Sequence, residues 1–166
     1  GFSGVNNFPT HTIVDGHFRG VLEETGMSVR KEYEMVALAR KMDLFSIVYV
    51  GSPEEAAEMA KAGADAIIAH VGTTVGGSIG VRSAVVSWDH TLKVTQDIIN
   101  AATQVRKDIF FLAHGGPINT PEDADRVIRQ TSAVGFVGAS SLERMGVEES
   151  LTGLTRKFKS LTVPRR

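Results

Sequence analysis

The sequence has 166 residues, of which 42% are hydrophobic and 22% are charged, as is typical of a globular domain. Its 18 Lys and Arg residues balance 19 Asp and Glu residues, and the formal net charge of -1 excludes a broad basic surface for nucleic acid. Cysteine is absent, which excludes disulfides and thiolate metal sites, and no apolar run approaches the roughly 18 to 20 residues of a membrane span. We therefore expect a soluble, cytoplasmic protein without nucleic-acid or membrane partners.

Five short runs rich in β-branched and aromatic residues predict strands. They cover residues 2–8, 45–50, 64–71, 109–113 and 134–137. Each run is continuously apolar and is separated from the next by a segment with helical spacing, which favours a parallel sheet covered by helices. The segments that we expect in the interior are those near Val5, Ile47, Ile67, Phe110 and Phe136.

Residues that favour helix starts precede several of the intervening segments. Ser28 is a plausible N-cap, and the pairs Ser52-Pro53 and Thr120-Pro121 each combine an N-cap residue with a first-turn proline. A final helix is predicted from an apolar stripe formed by Val147, Leu151, Leu154, Phe158 and Leu161.

The order of these elements predicts an α/β fold. A closed (β/α)8 barrel needs eight strands in roughly 250 residues. The chain has five predicted strands, and it starts with Gly1 rather than Met and enters a strand almost at once. We therefore expect residues 1–166 to form a single incomplete domain, the C-terminal portion of a TIM barrel whose N-terminal βα units are missing.

The carboxyl ends of barrel strands form the active face, so the residues that follow each apolar run are candidates for the site. Glycines after the last two strands expose backbone N–H groups that suit an anion, although such glycines also serve ordinary turns. The substrate- or phosphate-binding candidates are Asn6, Asn7, Gly115, Gly116, Gly138, Ala139, Ser140 and Ser141.

His70 and His114 each follow a buried strand, where an imidazole suits proton transfer, although a structural hydrogen-bonding role is an alternative for either. Glu23 is a third catalytic candidate, in an acidic loop after the first strand. Asp15 and Glu24 of the same loop are candidates for binding a divalent cation such as Mg²⁺, with a solvated turn as the alternative.

The stretch of glycines at residues 76–80 lacks the Lys-Ser/Thr of a P-loop and the spacing of a dinucleotide loop. We interpret it as a mobile lid over the site, with a plain linker as the alternative.

Several stretches of the chain resemble the phosphoenolpyruvate hydrolase-like family, which is similar to the phosphoenolpyruvate mutase and isocitrate lyase superfamily. The stretches that carry this resemblance are Gly4–Thr10, Leu22–Met27, Ala62–Asp65, His114–Ile118 and Gly138–Arg144. One departure is Val75, an extra residue within the Thr-Thr-Gly-Gly pattern that the resemblance implies for this loop. The resemblance implies a TIM barrel and a phosphoenolpyruvate-like substrate.

Two functions remain open at this point. The first is a hydrolase or lyase acting on a small phosphorylated or phosphonate oxo-acid, with Mg²⁺ as cofactor. The second is a non-catalytic ligand-binding or signalling module that needs an anion site but no acid–base groups. For either, we expect a small phosphorylated or carboxylate ligand and a homo-oligomer.

Overall fold

The computed structural model describes residues 1–82 and 86–160 and contains one sheet of five parallel strands. The strands are β1 (Gly4–Asn6), β2 (Phe45–Val50), β3 (Ala66–His70), β4 (Phe110–His114) and β5 (Gly135–Phe136). They lie side by side in chain order, and every neighbouring pair is parallel. The predicted α/β class with five parallel strands is confirmed, and the sequential order is the one found in β/α barrels.

Helices connect the strands, and two of the three predicted N-caps, Ser52 and Thr120, begin helices. The third, Ser28, lies one residue before the observed N-cap, Val29. The helices are α1 (Gly16–Glu24), α2 (Arg30–Lys41), α3 (Pro53–Ala62), α4 (Trp88–Val105), α5 (Pro121–Gln130), α6 (Ser140–Glu143) and α7 (Met145–Lys159). The Ser52 hydroxyl accepts a hydrogen bond from the Glu55 amide, and Thr120 forms a reciprocal capping box with Asp123.

The sequence prediction and the structure differ at the first helix. Residues 16–24 form helix α1 rather than a loop, and a short 3-10 helix at His11–Ile13 precedes it. The predicted final helix is confirmed as α7; its apolar stripe is exposed, and the last residue of that stripe, Leu161, lies outside the described residues.

The two faces of the sheet have different surroundings. Helices α2 to α5 cover one face, where their apolar residues pack against side chains such as Val48, Ile67 and Phe111. The other face carries Phe45 and Phe110, which are 47% and 61% exposed. The segment near Phe110 lies in the interior as predicted, through Phe111 and Ala113, whereas Phe110 itself points to the other face because side chains alternate along a strand.

A pair of variants tests whether the open face is covered in a longer form of the protein. Ile67→Ala should lower the free energy of unfolding by about 2–5 kcal/mol in either form, because Ile67 is fully buried. Phe110→Ala should cost clearly less in residues 1–166 but about 3–5 kcal/mol in a longer form whose further strands bury it. Urea denaturation measures both, and an equally small cost of Phe110→Ala in the two forms would contradict the partial-barrel interpretation.

Candidate functional site

A cavity of about 490 Å³ opens at the carboxyl ends of the central strands. Strand ends and the loops that follow them supply its walls, as expected for the active face of a barrel. The residues that line it are Phe8, Thr12, Ile13, Asp15, Gly51, His70, Gly72, Thr73, Thr74, His114, Ala139 and Ser140. Both predicted histidines are therefore brought together in one cavity.

Two imidazoles form the centre of this cavity because β3 and β4 are paired in register. His70 lies directly opposite His114 at the ends of these strands, and their ring centroids are 5.1 Å apart. The ring of Tyr49, from β2, stands edge-on to both, with centroid distances of 6.0 Å to His70 and 5.3 Å to His114. The three rings form one aromatic cluster at the carboxyl edge of the sheet.

Burial lowers the pKa of both histidines. For His70 the loss of solvent is the largest cause, the neighbouring His114 adds to it, and the pKa falls from 6.5 to about 4. Burial also lowers the pKa of His114, and a hydrogen bond to the Val137 carbonyl opposes this effect. Both rings are therefore neutral near pH 7, so each has a free lone pair and neither supplies a positive charge.

Asn7 fixes the position of Tyr49 rather than facing the cavity. Its buried carboxamide accepts a hydrogen bond from the Tyr49 amide at 2.7 Å and donates one to the Tyr49 carbonyl at 3.0 Å. The Glu32 carboxylate accepts hydrogen bonds from Asn7, from the Thr10 hydroxyl and from the His11 amide. The structure thus uses Asn7 to extend the contact between β1 and β2 to the level of the site.

Asn6 also bonds within the protein, but at the surface. Its side chain donates to the Ile47 carbonyl at 3.0 Å and accepts from the Phe8 amide at 2.7 Å. Neither Asn6 nor Asn7 lines the cavity. The sequence predicted that both side chains bind the ligand, because it does not reveal that both carboxamides form hydrogen bonds with backbone groups of the protein.

Gly115 and Gly116 allow two loops to pack closely. A Cβ at Gly115, where φ is +87°, would lie 2.1 Å from the Gly72 carbonyl oxygen. The Gly116 amide donates to that same oxygen at 2.9 Å, and the Gly116 carbonyl accepts from Val75 at 3.1 Å. The Gly116 amide is therefore engaged within the protein, and both glycines are buried beside the cavity.

The turn at residues 138–141 reaches the cavity through Ala139 and Ser140. Ser141 places its hydroxyl in a buried position where it has no hydrogen-bond partner among the described residues. A Cβ at Gly138 would lie 2.7 Å from Leu142 Cδ1, so a larger residue there would first displace that exposed side chain. The segment that follows, α6, is only four residues long.

The acidic candidates are divided between two places. Asp15 lies at the rim of the histidine cavity. Glu23 lies elsewhere, with Oε1 3.7 Å from His11 Nε2, and hydrogen bonds from Ser28 and then from the Val29 amide lower its pKa. The convergence of Glu23 with His70 that a catalytic role requires is not seen, and the exposed Glu24 does not line the cavity either.

Metal-binding side chains do not converge in the described part of the chain. Within residues 1–82 and 86–160, no three His, Cys, Asp or Glu side chains are placed to hold one ion. Asp15 is the single carboxylate on the cavity wall. This donor set does not fit a resident Mg²⁺ ion, which needs several oxygen ligands.

The glycine-rich segment at residues 76–80 is tied to α7. The Ser78 amide donates to Glu148 Oε2 at 2.7 Å, and Arg144 Nη2 donates to the Gly76 carbonyl at 3.2 Å. Arg144 and Glu148 also pair with each other at 2.9 Å. The segment that we interpreted as a mobile lid is thus held by a surface ion pair in this structure.

Sequence reasoning missed Tyr49 and the hydroxyl groups of Thr12, Thr73 and Thr74. Tyr49 lies inside a predicted strand, and only the residues after the strands were considered. The alternation of side chains along β2 could have found it, because Tyr49 shares a face with Phe45 and Ile47.

Residues 1–161 match the family described as phosphoenolpyruvate hydrolase-like. Two curated relatives from Solanum lycopersicum are each 46% identical over 164 residues, the ToMV susceptible protein tm-1(GCR26) and the ToMV resistance protein Tm-1(GCR237). These matches cover 98% of this chain but only 22% of each tomato protein.

A solved structure, the N-acetylmannosamine-6-phosphate 2-epimerase from Clostridium perfringens, matches with a TM-score of 0.48 at 17% identity. This match covers 74% of the chain and 48% of the epimerase.

The sequential parallel sheet and the cavity at its carboxyl edge define a protein of the β/α-barrel class. Within that class, the chain belongs to the phosphoenolpyruvate hydrolase-like family. None of its described helices combines the length and the apolar character required to cross a bilayer.

The lowered histidine pKa values predict a pH-dependent stability. Between pH 6.5, the ordinary pKa, and about pH 4, the unfolded chain binds a proton at His70 that the folded chain does not bind. The stabilisation is complete above pH 6.5 and falls on acidification by up to about 1.4 kcal/mol per pH unit for this group. Urea unfolding as a function of pH measures the slope. His70→Gln should reduce the slope and His90→Gln, on the exposed start of α4, should not; an unchanged slope in His70→Gln would refute the assignment.

Asn6 and Asn7 form a matched pair for testing a structural role. Asn7→Ala leaves two backbone groups of Tyr49 without their partner in a buried place and should lower the free energy of unfolding by about 2 kcal/mol or more. Asn6→Ala exposes its former partners to water and should cost less than about 1 kcal/mol. Equal costs in thermal or urea unfolding would contradict the distinction.

Proposed function

We propose that this chain carries the acid–base centre of an enzyme that acts on a small phosphorylated or phosphonate oxo-acid, as a hydrolase or lyase. The observation that carries the proposal is the pair of neutral imidazoles, 5.1 Å apart, on the wall of one open cavity. A neutral imidazole carries a free lone pair at neutral pH and can accept a proton, and general acid–base catalysis contributes about 10²- to 10⁴-fold to a rate. We also propose that the protein is cytoplasmic and forms a homo-oligomer.

The residues around the pair have separate tasks in this proposal. His70 and His114 exchange protons with the ligand, and Tyr49 supports both rings from the side. The hydroxyls of Thr73 and Ser140 on the cavity wall are available for carboxylate or phosphoryl oxygens. Mg²⁺ has no part in these steps, because the donor set around Asp15 does not fit it.

A non-catalytic ligand-binding module is the second candidate. Two observations favour it: the tomato relatives carry names that state no reaction, and Lys and Arg are absent from the residues that line the cavity. Such a module would keep the cavity but would gain nothing from histidines of lowered pKa.

Phosphorus NMR of the intact protein with phosphoenolpyruvate and with phosphonopyruvate, in the presence and absence of added Mg²⁺, separates the two candidates. We expect turnover that falls by about 100-fold or more in His70→Ala and in His114→Ala, because each removes a proton-transfer group. Thermal shift of the same variants reports whether the ligand still binds. Turnover that survives both substitutions would refute the acid–base assignment, and saturable binding without turnover would favour the module.

A further inference from the structure

The hydrogen bonds of the two imidazoles determine which nitrogen of each ring carries the proton. His114 Nδ1 lies 2.8 Å from the Val137 carbonyl oxygen, which can only accept, so this nitrogen is protonated. In the neutral ring the lone pair is then on Nε2. His70 Nδ1 accepts a hydrogen bond from the Gly72 amide at 3.3 Å, so its proton is on Nε2.

The two histidines therefore present opposite groups, with a bare Nε2 on His114 and an Nε2–H on His70. Within the described residues no hydrogen bond joins the two rings, so neither Nε2 group is engaged by the other ring. Both rings line the same cavity, and a centroid distance of 5.1 Å allows one small ligand to contact both. The pair is complementary to a ligand that offers an acidic proton beside a hydrogen-bond acceptor.

The side chains that line the cavity further restrict the kind of ligand that it can bind. Among the described residues, its lining contains hydroxyls, backbone, the apolar side chains of Phe8 and Ile13 and two imidazoles of lowered pKa, with Asp15 as its single carboxylate and without Lys or Arg. A group that develops full negative charge next to the imidazoles is stabilised there by hydrogen bonds alone. A carbonyl oxygen that becomes an enolate oxygen is such a group, and an N–H donor is the usual means of stabilising it.

We propose, building on the acid–base function above, that the ligand is an enolisable carbonyl compound, with His114 as the base and His70 as the donor to the carbonyl oxygen. His114 Nε2 takes a proton from the carbon next to the carbonyl. The electron pair of that C–H bond forms a C=C bond, and the carbonyl π electrons move to the oxygen. The oxygen is held by His70 Nε2–H, and return of the proton from His114 restores the ketone, so no oxidant or further reactant is needed.

The proton positions can be measured without any reaction. Long-range ¹H–¹⁵N spectra of the intact protein labelled at histidine should report His114 protonated at Nδ1 and His70 protonated at Nε2. The opposite tautomer at either ring would overturn the proposed roles, even if the protein proved to be an enzyme. The same result would leave a general acid–base function intact, so the two failures are distinguishable.

Exchange of the methyl protons of pyruvate in D₂O, followed by ¹H NMR, tests the substrate class and the division of roles. We expect His114→Gln to slow the exchange that the intact protein catalyses by about 100-fold or more, because an amide is not a base. His70→Gln keeps an N–H donor and should lose no more than about 10-fold, whereas His70→Leu should lose more. His90→Gln is the matched control and should exchange as the parent does.

Three outcomes of the exchange experiment would also overturn the proposal. Loss in His70→Gln equal to that in His114→Gln would remove the distinction between base and donor. Exchange unchanged by His114→Gln would place the base elsewhere. Failure of the intact protein to exchange pyruvate or 2-oxobutyrate would refute the substrate class, and the spectra above would still decide the proton positions if a variant failed to fold.

Discussion

The parallel register between β3 and β4 is the constraint on which the site depends. It pairs Ala66 with Phe110 at one end and His70 with His114 at the other, so both imidazoles leave the sheet on the same face and at the same height. A shift of one residue would send one ring to the helix-covered face. The contact between the loops after these strands, where Gly116 bonds to Gly72, continues the same register beyond the sheet.

A second constraint holds the first loop of the chain against the strand ends. The buried carboxylate of Glu55 accepts hydrogen bonds from Thr12 and from the Gly51 amide and pairs with Arg19 of α1. A buried carboxylate is costly unless its oxygens are bonded, so the loop and α1 can leave only by exposing these groups unpaired. Thr12 and Gly51 both line the histidine cavity, so this network sets one of its walls.

The sequence predicts much of the framework because local signals and the tertiary fold agree there. Ser52 and Thr120 start helices as caps, and the apolar runs become parallel strands. Helix α1 was missed because it begins at Gly16 and contains Gly20, residues of low helix propensity. Arg19 in this helix pairs with Glu55, which is distant in sequence, so a local sequence pattern cannot predict this contact.

The difference between local sequence signals and contacts distant in sequence also explains which parts of the site could be predicted. Its histidines could be predicted because each ends an apolar run, and position in a parallel sheet then brings them together. The role of Asn7 could not be predicted, because an amide after a strand suits a ligand as well as it suits the Tyr49 backbone. Burial decides between the two, and burial depends on Glu32 and Thr10, whose approach the sequence does not reveal.

The charged side chains near the cavity determine how it could bind the phosphoryl group that the family name suggests. Opposite charges separated by about 4 Å attract by roughly 4 kcal/mol near a protein surface, and among residues 1–82 and 86–160 no cationic side chain lines the cavity to supply that attraction. Asp15 at the rim repels an anion, and the histidines, with their lowered pKa values, remain neutral. A phosphoryl group would therefore be held by backbone and hydroxyl donors, while the imidazoles are better suited to the uncharged carbonyl part of the ligand.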